Sequence, residues 1–224
     1  MTELSLNQVE LSLNEVETLA AKAGRGAGFS WGLADDIGKG ARHLAIAGLP
    51  WAAALLGLAA IVPLLPPSPE HALAADLAGA SIAPSVPGGV LCPVRTGALL
   101  ADRPHRRAGD ALRIERVAYP LWLIAFAALP GRSAPIGLSW PGAAATVRAC
   151  SIALPPENCD WLAPLADVVL GPSLARLAAA APRRRAHIGR AELDALIELA
   201  ARTYVPASES SRAKGAGGGR VDDE

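Results

Sequence analysis

The spacing of apolar and polar residues predicts helices in the first quarter of the chain. Ser12 and Glu15 stand three residues apart in front of an amphipathic stretch, which is the pattern of a capping box at a helix start. This helix should end in the glycine-rich stretch at 24–28, because glycine lowers helix propensity. Ser30 can begin a second helix, which Gly48 should end. We therefore expect an N-terminal helical hairpin or bundle.

A long uncharged run follows, and two prolines divide it. Residues 44–69 form a stretch of 26 residues without a charge, which is long enough to span a bilayer. Pro50 and Pro63 leave only 51–62 as an unbroken apolar helix. Such a helix rises about 18 Å and falls short of the roughly 30 Å hydrocarbon core. The pattern favours a buried core helix, and we expect no membrane segment.

Period-two alternation replaces the helical spacing in the middle of the chain, and helices return towards its end. The segments predicted as strands are 112–117, a hairpin at 136–149 and 167–170. The segments predicted as helices are 70–77, 120–129, 173–181 and 190–202. The apolar run at 120–129 could also be a buried strand, but its length and its initial proline favour the helix. The pattern predicts an α+β fold, with the N-terminal helical hairpin or bundle, a small antiparallel sheet in the middle, and C-terminal helices followed by an extended tail.

A tandem repeat at the N-terminus and a glycine-rich C-terminus suggest the domain limits. LSLNQVE is followed directly by LSLNEVE, and two heptads are too short to indicate a coiled coil. We interpret the repeat as a short duplication of which only the second copy belongs to the fold. Glycine-rich ends behave as flexible linkers. We divide the chain into a duplicated extension at 1–11, a globular domain at 12–212 and a flexible tail at 213–224.

Composition excludes several classes of protein. The 224 residues include 21 basic and 21 acidic ones, so no net field draws the chain to nucleic acid or to an anionic membrane. Three cysteines without C-x-x-C spacing and four scattered histidines give no metal-ligand pattern, and we expect neither a metal nor a cofactor. The first residues lack the features of a signal peptide. We expect a soluble, cytoplasmic protein.

A basic run near the C-terminus has two interpretations. RRRAHIGR at 183–190 could contact phosphates, but no aromatic residues flank it. We interpret it as a solvated, charged turn before the last helix.

The segment LCPVRTGALLADR at 91–103 contains the candidate chemistry. Arg95 and Arg103, in a loop-like context, suit a small carboxylate or phosphate, because a guanidinium binds such groups with paired hydrogen bonds. Cys92 and Asp102 are the candidate catalytic groups. The alternative interpretation is a structural cysteine among surface ion pairs.

A second candidate segment, TYVPASESSRAKGAGGG, begins at residue 203. Its aromatic ring and its proline predict an ordered anchor at 203–212, with Tyr204 packed against the body of the protein. Tyr204, Ser208, Glu209 and Arg212 are candidate ligand-binding residues of this segment.

Together, SLNEVE, GAGFSWGLA, LCPVRTGALLADR and TYVPASESSR make the chain resemble a family of bacterial proteins that is known only as a domain of unknown function. The resemblance covers nearly the whole chain from Ser12. It implies one domain of conserved architecture that includes the tail, and it implies no activity.

No acid–base pair and no nucleophile–base pattern is legible in the sequence. We therefore expect a binding or accessory protein, with a catabolic enzyme as its partner. The alternative is an enzyme that acts on a small anionic metabolite, a carboxylate or a phosphate, in a closed pocket where Cys92, Asp102 and the tail converge. The expected partner is thus a protein or a small anionic ligand, and the oligomeric state stays open.

Overall fold

The structure, a computed structural model, describes residues 7–65, 73–74, 81–102, 111–129, 135–155, 159–172 and 181–204. Its elements in chain order are β1 (Gln8–Ser12), α1 (Leu13–Gly26), α2 (Trp31–Ala47), α3 (Trp51–Ile61), a 3-10 turn (Val62–Leu64), β2 (Leu73–Ala74), β3 (Ser81–Pro84), α4 (Pro93–Asp102), β4 (Leu112–Ala118), α5 (Leu121–Ala127), β5 (Ile136–Trp140), β6 (Ala143–Arg148), β7 (Ser151–Ala153), β8 (Leu165–Pro172), β9 (Arg185–Gly189) and α6 (Arg190–Ala201). The α+β class, with helices first, a sheet next and a helix at the end, is confirmed. The helix expected at 70–77 is wrong for Leu73 and Ala74, which pair with β3 as β2, and the rest of that segment lies outside the described residues. The helix expected at 173–181 falls largely outside the described residues, and the tail from 205 onwards lies wholly outside them.

The start of α1 is as predicted. The Ser12 amide donates to Glu15 Oε2 at 2.7 Å, and the Glu15 amide donates to Ser12 Oγ at 3.2 Å. Residues 8–10, the end of the first repeat copy, instead lie in β1, where Val9 is opposite Ile188 of β9. Part of the proposed extension therefore pairs with the rest of the protein, and the division of the chain into units stays a prediction.

The basic run at 183–190 contains a strand, and the solvated turn expected from the sequence is wrong for 185–189. β9 is antiparallel to β1. Ala186 and Ile188 are buried, whereas Arg185 and His187 are exposed, which is the alternation of a half-buried strand. Arg185 Nη1 lies 2.9 Å from Glu10 Oε1 of β1. The charge of this run by itself favours a solvated turn, whereas its period of two indicates the strand.

Helices α1, α2 and α6 approach closely because glycine lines their contacts. A Cβ on Gly26 of α1 would overlap the carbonyl oxygen of Leu199 in α6. A Cβ on Gly38 of α2 would lie 2.7 Å from the carbonyl oxygen of Glu17 in α1. Neither position can hold a larger residue without moving a backbone, so these glycines set the distance between the helices.

The described strands other than β1 and β9 form one sheet of seven strands, in the order β2-β3-β4-β8-β5-β6-β7. The β3–β4 pair is parallel, and the other pairs are antiparallel. The predicted hairpin is present as β5 and β6, with Gly142 at a φ of 88° in its turn. The sheet is therefore mixed and larger than the small antiparallel sheet expected.

The apolar run between Pro50 and Pro63 forms α3, and it is buried in the core as predicted. Trp51, Leu55 and Leu58 are each at most 2% exposed. Among the helices that the structure describes, none has the length and apolar content needed to cross a bilayer. A single cluster of buried apolar side chains extends from Leu11 in β1 to Leu199 in α6, so the helices and the sheet share one core.

Gly26→Ala is expected to lower the free energy of unfolding by about 2 kcal/mol, because the added methyl group overlaps backbone that cannot move without shifting α6. Urea unfolding measures the change. Gly32→Ala in α2 is the matched control, since no atom lies within 4 Å of its added Cβ. The control should be neutral or slightly stabilising. Equal midpoints for the two variants would contradict the close packing of α1 on α6.

Candidate functional site

The turn between α1 and α2 buries one aromatic residue and exposes the next. Gly28 has a φ of 103°, a left-handed conformation that favours glycine. Phe29 is then 1% exposed in the core, whereas Trp31, at the start of α2, is 69% exposed. Exposed aromatic rings are typical of binding surfaces, because their burial by a partner releases a large free energy. Trp31 therefore marks a candidate binding surface.

Arg25 holds the Trp31 ring in place. Its guanidinium carbon lies 4.8 Å from the centroid of the Trp31 ring, within cation–π distance. Its Nη1 donates a hydrogen bond of 2.7 Å to the carbonyl oxygen of Phe29. The guanidinium is thus anchored to the turn on one side and to the ring on the other, so the pair is ordered before any partner arrives.

A second pair of a cation and an aromatic ring lies where α6 ends. Lys22 Nζ is 5.6 Å from the centroid of the Tyr204 ring and 3.5 Å from the Tyr204 hydroxyl oxygen. Tyr204 is 60% exposed, so the expected packing of this ring in the body of the protein is wrong. The ring lies against α1 and keeps most of its surface in water.

Two neighbouring grooves connect these pairs. The groove between α1 and α2 has a volume of about 430 Å³ and is lined by Lys22, Arg25, Trp31, Asp35, Lys39 and Thr203, among others. The groove between α1 and α6 has a volume of about 410 Å³ and is lined mainly by apolar residues, among them Leu19, Leu193, Ile197 and Tyr204. Thr18 and Lys22 line both grooves. We call the two grooves, with Trp31 and Tyr204, the aromatic face.

Of the cations that line the aromatic face, Lys22 and Arg25 are not neutralised by neighbouring acids, whereas Lys39 is paired with Asp36. No ion pair among the described residues includes Lys22 or Arg25. Glu17 instead accepts a hydrogen bond from Arg42 Nη1 at 3.2 Å. The carboxylate of Asp36 lies 3.9 Å from Lys39 Nζ. Lys22 and Arg25 are therefore available to an anionic group of a partner.

The segment at 91–103 is a helix over most of its length, not the loop expected. Pro93 occupies the first turn of α4, a position that suits proline and that is a signal of helix start. Cys92 is 6% exposed, and burial raises the pKa of its thiol, although the backbone amide of Arg95 acts in the opposite direction. A buried, neutral thiol is a weak nucleophile. Asp102 is exposed at the other end of α4, about 15 Å away along the helix axis.

A bulge in β4 fixes the chain in front of α4. Arg116 has a φ of 53° and lies where the register between β4 and β8 shifts. Its Nε donates to the carbonyl oxygen of Gly89 at 2.6 Å, and its own carbonyl oxygen accepts from the Leu91 amide at 2.9 Å. Asp167 completes the arrangement, because its Oδ1 accepts from the Arg116 amide at 2.9 Å and its Oδ2 from Arg113 Nη2 at 2.6 Å. The segment in front of α4 is thus held by structural contacts.

The candidates from the sequence divide into three groups. Tyr204 lies on the aromatic face, whereas Arg95 and Asp102 lie in α4 and Cys92 directly precedes it. The remaining candidates, Arg103, Ser208, Glu209 and Arg212, lie outside the described residues. Within the described ranges, no group of three or more His, Cys, Asp or Glu side chains that could hold a metal ion is present.

The sequence reasoning missed Lys22, Arg25 and Trp31. The helix pattern gives no signal for Trp31, because it stands three residues before Ala34 and seven before Gly38, which are both buried. Trp31 is exposed at the first residue of α2, and the spacing alone does not show this.

Part of this face is similar to a known protein family. Residues 11–86 match the model of a family described as "Protein of unknown function (DUF3726)". The expected resemblance to a family of unknown function is confirmed for these residues. The match spans α1, α2 and α3, and therefore includes Lys22, Arg25 and Trp31. No curated protein and no solved structure matches the chain.

Asp167 gives an expected pH dependence of stability. The Arg116 amide, and then Arg113, lower the pKa of the Asp167 carboxyl from its ordinary value. The ionised carboxylate therefore stabilises the fold above the unfolded-state pKa of about 4, and this contribution is lost as the pH falls through the lower folded-state pKa. Asp167→Asn should lower the free energy of unfolding at neutral pH. Between neutral and acidic pH the variant should then lose less of this free energy than the wild type does.

Urea unfolding at about pH 7 and about pH 3 measures both effects. Glu198→Gln, on the exposed side of α6, controls for the loss of a surface carboxylate. If Asp167→Asn and the wild type lose equal stability between the two pH values, the described role of Asp167 is contradicted.

Proposed function

We propose that this protein is a binding protein without catalytic activity, and that its aromatic face binds a partner protein. The observation that carries the proposal is the exposure of Trp31, which is 69% exposed while Trp51, Trp122 and Trp140 are each at most 5% exposed. Arg25 orders its ring. Tryptophan, tyrosine and arginine are the residue types that contribute most to binding at protein interfaces.

The shape of the face supports a protein as the occupant. Small-molecule sites enclose most of the surface of their ligand, whereas the two grooves are open to solvent and lie side by side. The groove between α1 and α6 keeps large side chains exposed, since Ile197 is 50% exposed and Tyr204 60% exposed. A surface of this kind suits a partner that covers both grooves together.

The alternative function, an enzyme that acts on a small anionic metabolite, receives less support. It depends on Cys92 and Asp102 converging in a closed pocket. The thiol of Cys92 is buried, and α4 separates it from Asp102. A catabolic enzyme as the partner and a cytoplasmic location stay predictions from the sequence.

Trp31→Ala is expected to weaken the complex about thirtyfold, because the exposed ring would be buried by the partner. The variant should unfold at the same urea concentration as the wild type, since the ring lies outside the core. A protein captured with the wild type from a lysate of the source cells is purified, and its dissociation constant is measured by calorimetry. Val169→Ala, at a 45% exposed residue of β8, is the matched control.

A captured partner that binds Trp31→Ala and Val169→Ala equally well would contradict the proposal.

A thermal-shift screen with small carboxylates and phosphates tests the alternative function. Stabilisation by one of these anions that disappears in Cys92→Ala or Asp102→Asn would support the enzyme and contradict a purely binding role.

A further inference from the structure

We infer that the aromatic face binds an acidic segment of its partner protein, with carboxylates on Lys22 and Arg25 and an apolar side chain in the groove between α1 and α6. This inference rests on the proposed function and adds the chemistry of the partner to it.

The first argument is the position of the two cations. Lys22 and Arg25 are three residues apart in α1, so their side chains project from the same side of the helix. Each stands beside an exposed aromatic ring, and neither has a carboxylate within ion-pair distance among the described residues. The hydrogen bond to the Phe29 carbonyl uses one of the five N–H donors of Arg25, so the guanidinium can still bind a carboxylate.

The second argument is where the acids of the face lie. The two acids on α1 are engaged, because Glu15 Oε2 accepts from the Ser12 amide at 2.7 Å and Glu17 pairs with Arg42. The wall that α2 forms has one acid and one base, Asp35 and Lys39. The positive charge without a partner therefore lies at Lys22 and Arg25, so an acidic segment is attracted to the α1 side of the face.

The third argument is the continuity of the two grooves at Lys22, which lines both. A carboxylate on Lys22 places the neighbouring side chains of the same segment over the groove between α1 and α6. That groove offers Leu19, Leu193 and Ile197, which suit an aliphatic or aromatic side chain. A segment that combines acidic and apolar residues satisfies both surfaces, whereas a basic segment would face Lys22 and Arg25 with like charge.

Selection of peptides from a random phage-displayed library on the full chain tests the inference. The selected sequences should be enriched in Asp and Glu next to Leu, Phe or Trp. A synthetic peptide of the selected sequence is then labelled, and its dissociation constant is measured by fluorescence anisotropy. Lys22→Gln and Arg25→Gln should each weaken its binding about fivefold, whereas Arg148→Gln, at an exposed arginine of β6, should not.

The dependence of binding on salt concentration distinguishes electrostatic attraction from apolar packing. Raising NaCl from about 50 mM to about 500 mM should weaken binding to the wild type and to Arg25→Lys, which keeps the charge. The same change should have little effect on the double variant of Lys22→Gln and Arg25→Gln. Urea unfolding of each variant checks that the fold is retained.

Selected peptides without acidic enrichment, no selected peptide at all, or binding that is independent of Lys22, Arg25 and salt would each overturn the inference. If peptides bind independently of Lys22, Arg25 and salt but still require Trp31, the proposed function stands with a purely apolar partner. If the selected peptides bind Trp31→Ala as tightly as the wild type, the proposed function itself fails.

Discussion

The close approach of α1 to α2 and α6 is the contact on which the other features of the helical part depend. At Gly26 and Gly38 one helix meets the backbone of another, and no side chain can lie between them. Larger residues of the same helices must then lie at the edges of these contacts. Lys22 and Arg25 are such residues, and they line the grooves that the three helices leave between them.

The turn from α1 to α2 follows from the same constraint. Because α1 ends at Gly26, against the backbone of α6, the chain must turn back within a few residues to begin α2. Gly28 provides the left-handed conformation that this turn needs, and Phe29 fills the core beneath it. Trp31, the first residue of α2, follows two residues later and is exposed to solvent beside Arg25. The match to the family of unknown function includes this turn, which makes Arg25 and Trp31 residues to look for in its members.

Local signals explain which parts of the fold could be predicted. The capping box of Ser12 and Glu15 and the proline-divided α3 depend on neighbouring residues alone, and they were predicted. The pairing of β1 with β9 depends on segments from opposite ends of the chain. The repeat shows the limit directly, because QVE lies in a strand and EVE in a helix. Nearly the same letters adopt two structures, so tertiary pairing decides between them.

The candidate site was harder to predict for a related reason. A cysteine such as Cys92 is a candidate catalytic group in any sequence. Its reactivity depends on its burial, however, and the sequence does not show burial. The segment around Cys92 instead packs as the start of α4, held by Arg116 and Asp167 through the bulge in β4. Trp31 carries no reactive group, and its importance comes from where the fold leaves it.

The solvent exposure of Trp31 in the free protein tests this account most directly. Fluorine NMR of the protein labelled with 5-fluorotryptophan gives one resonance for each of the five tryptophans, and Trp31→Phe assigns the resonance of Trp31. The account predicts a large shift of the Trp31 resonance between H₂O and D₂O, and almost none for Trp122, which is fully buried. A Trp31 resonance as insensitive to solvent as that of Trp122 would contradict the account.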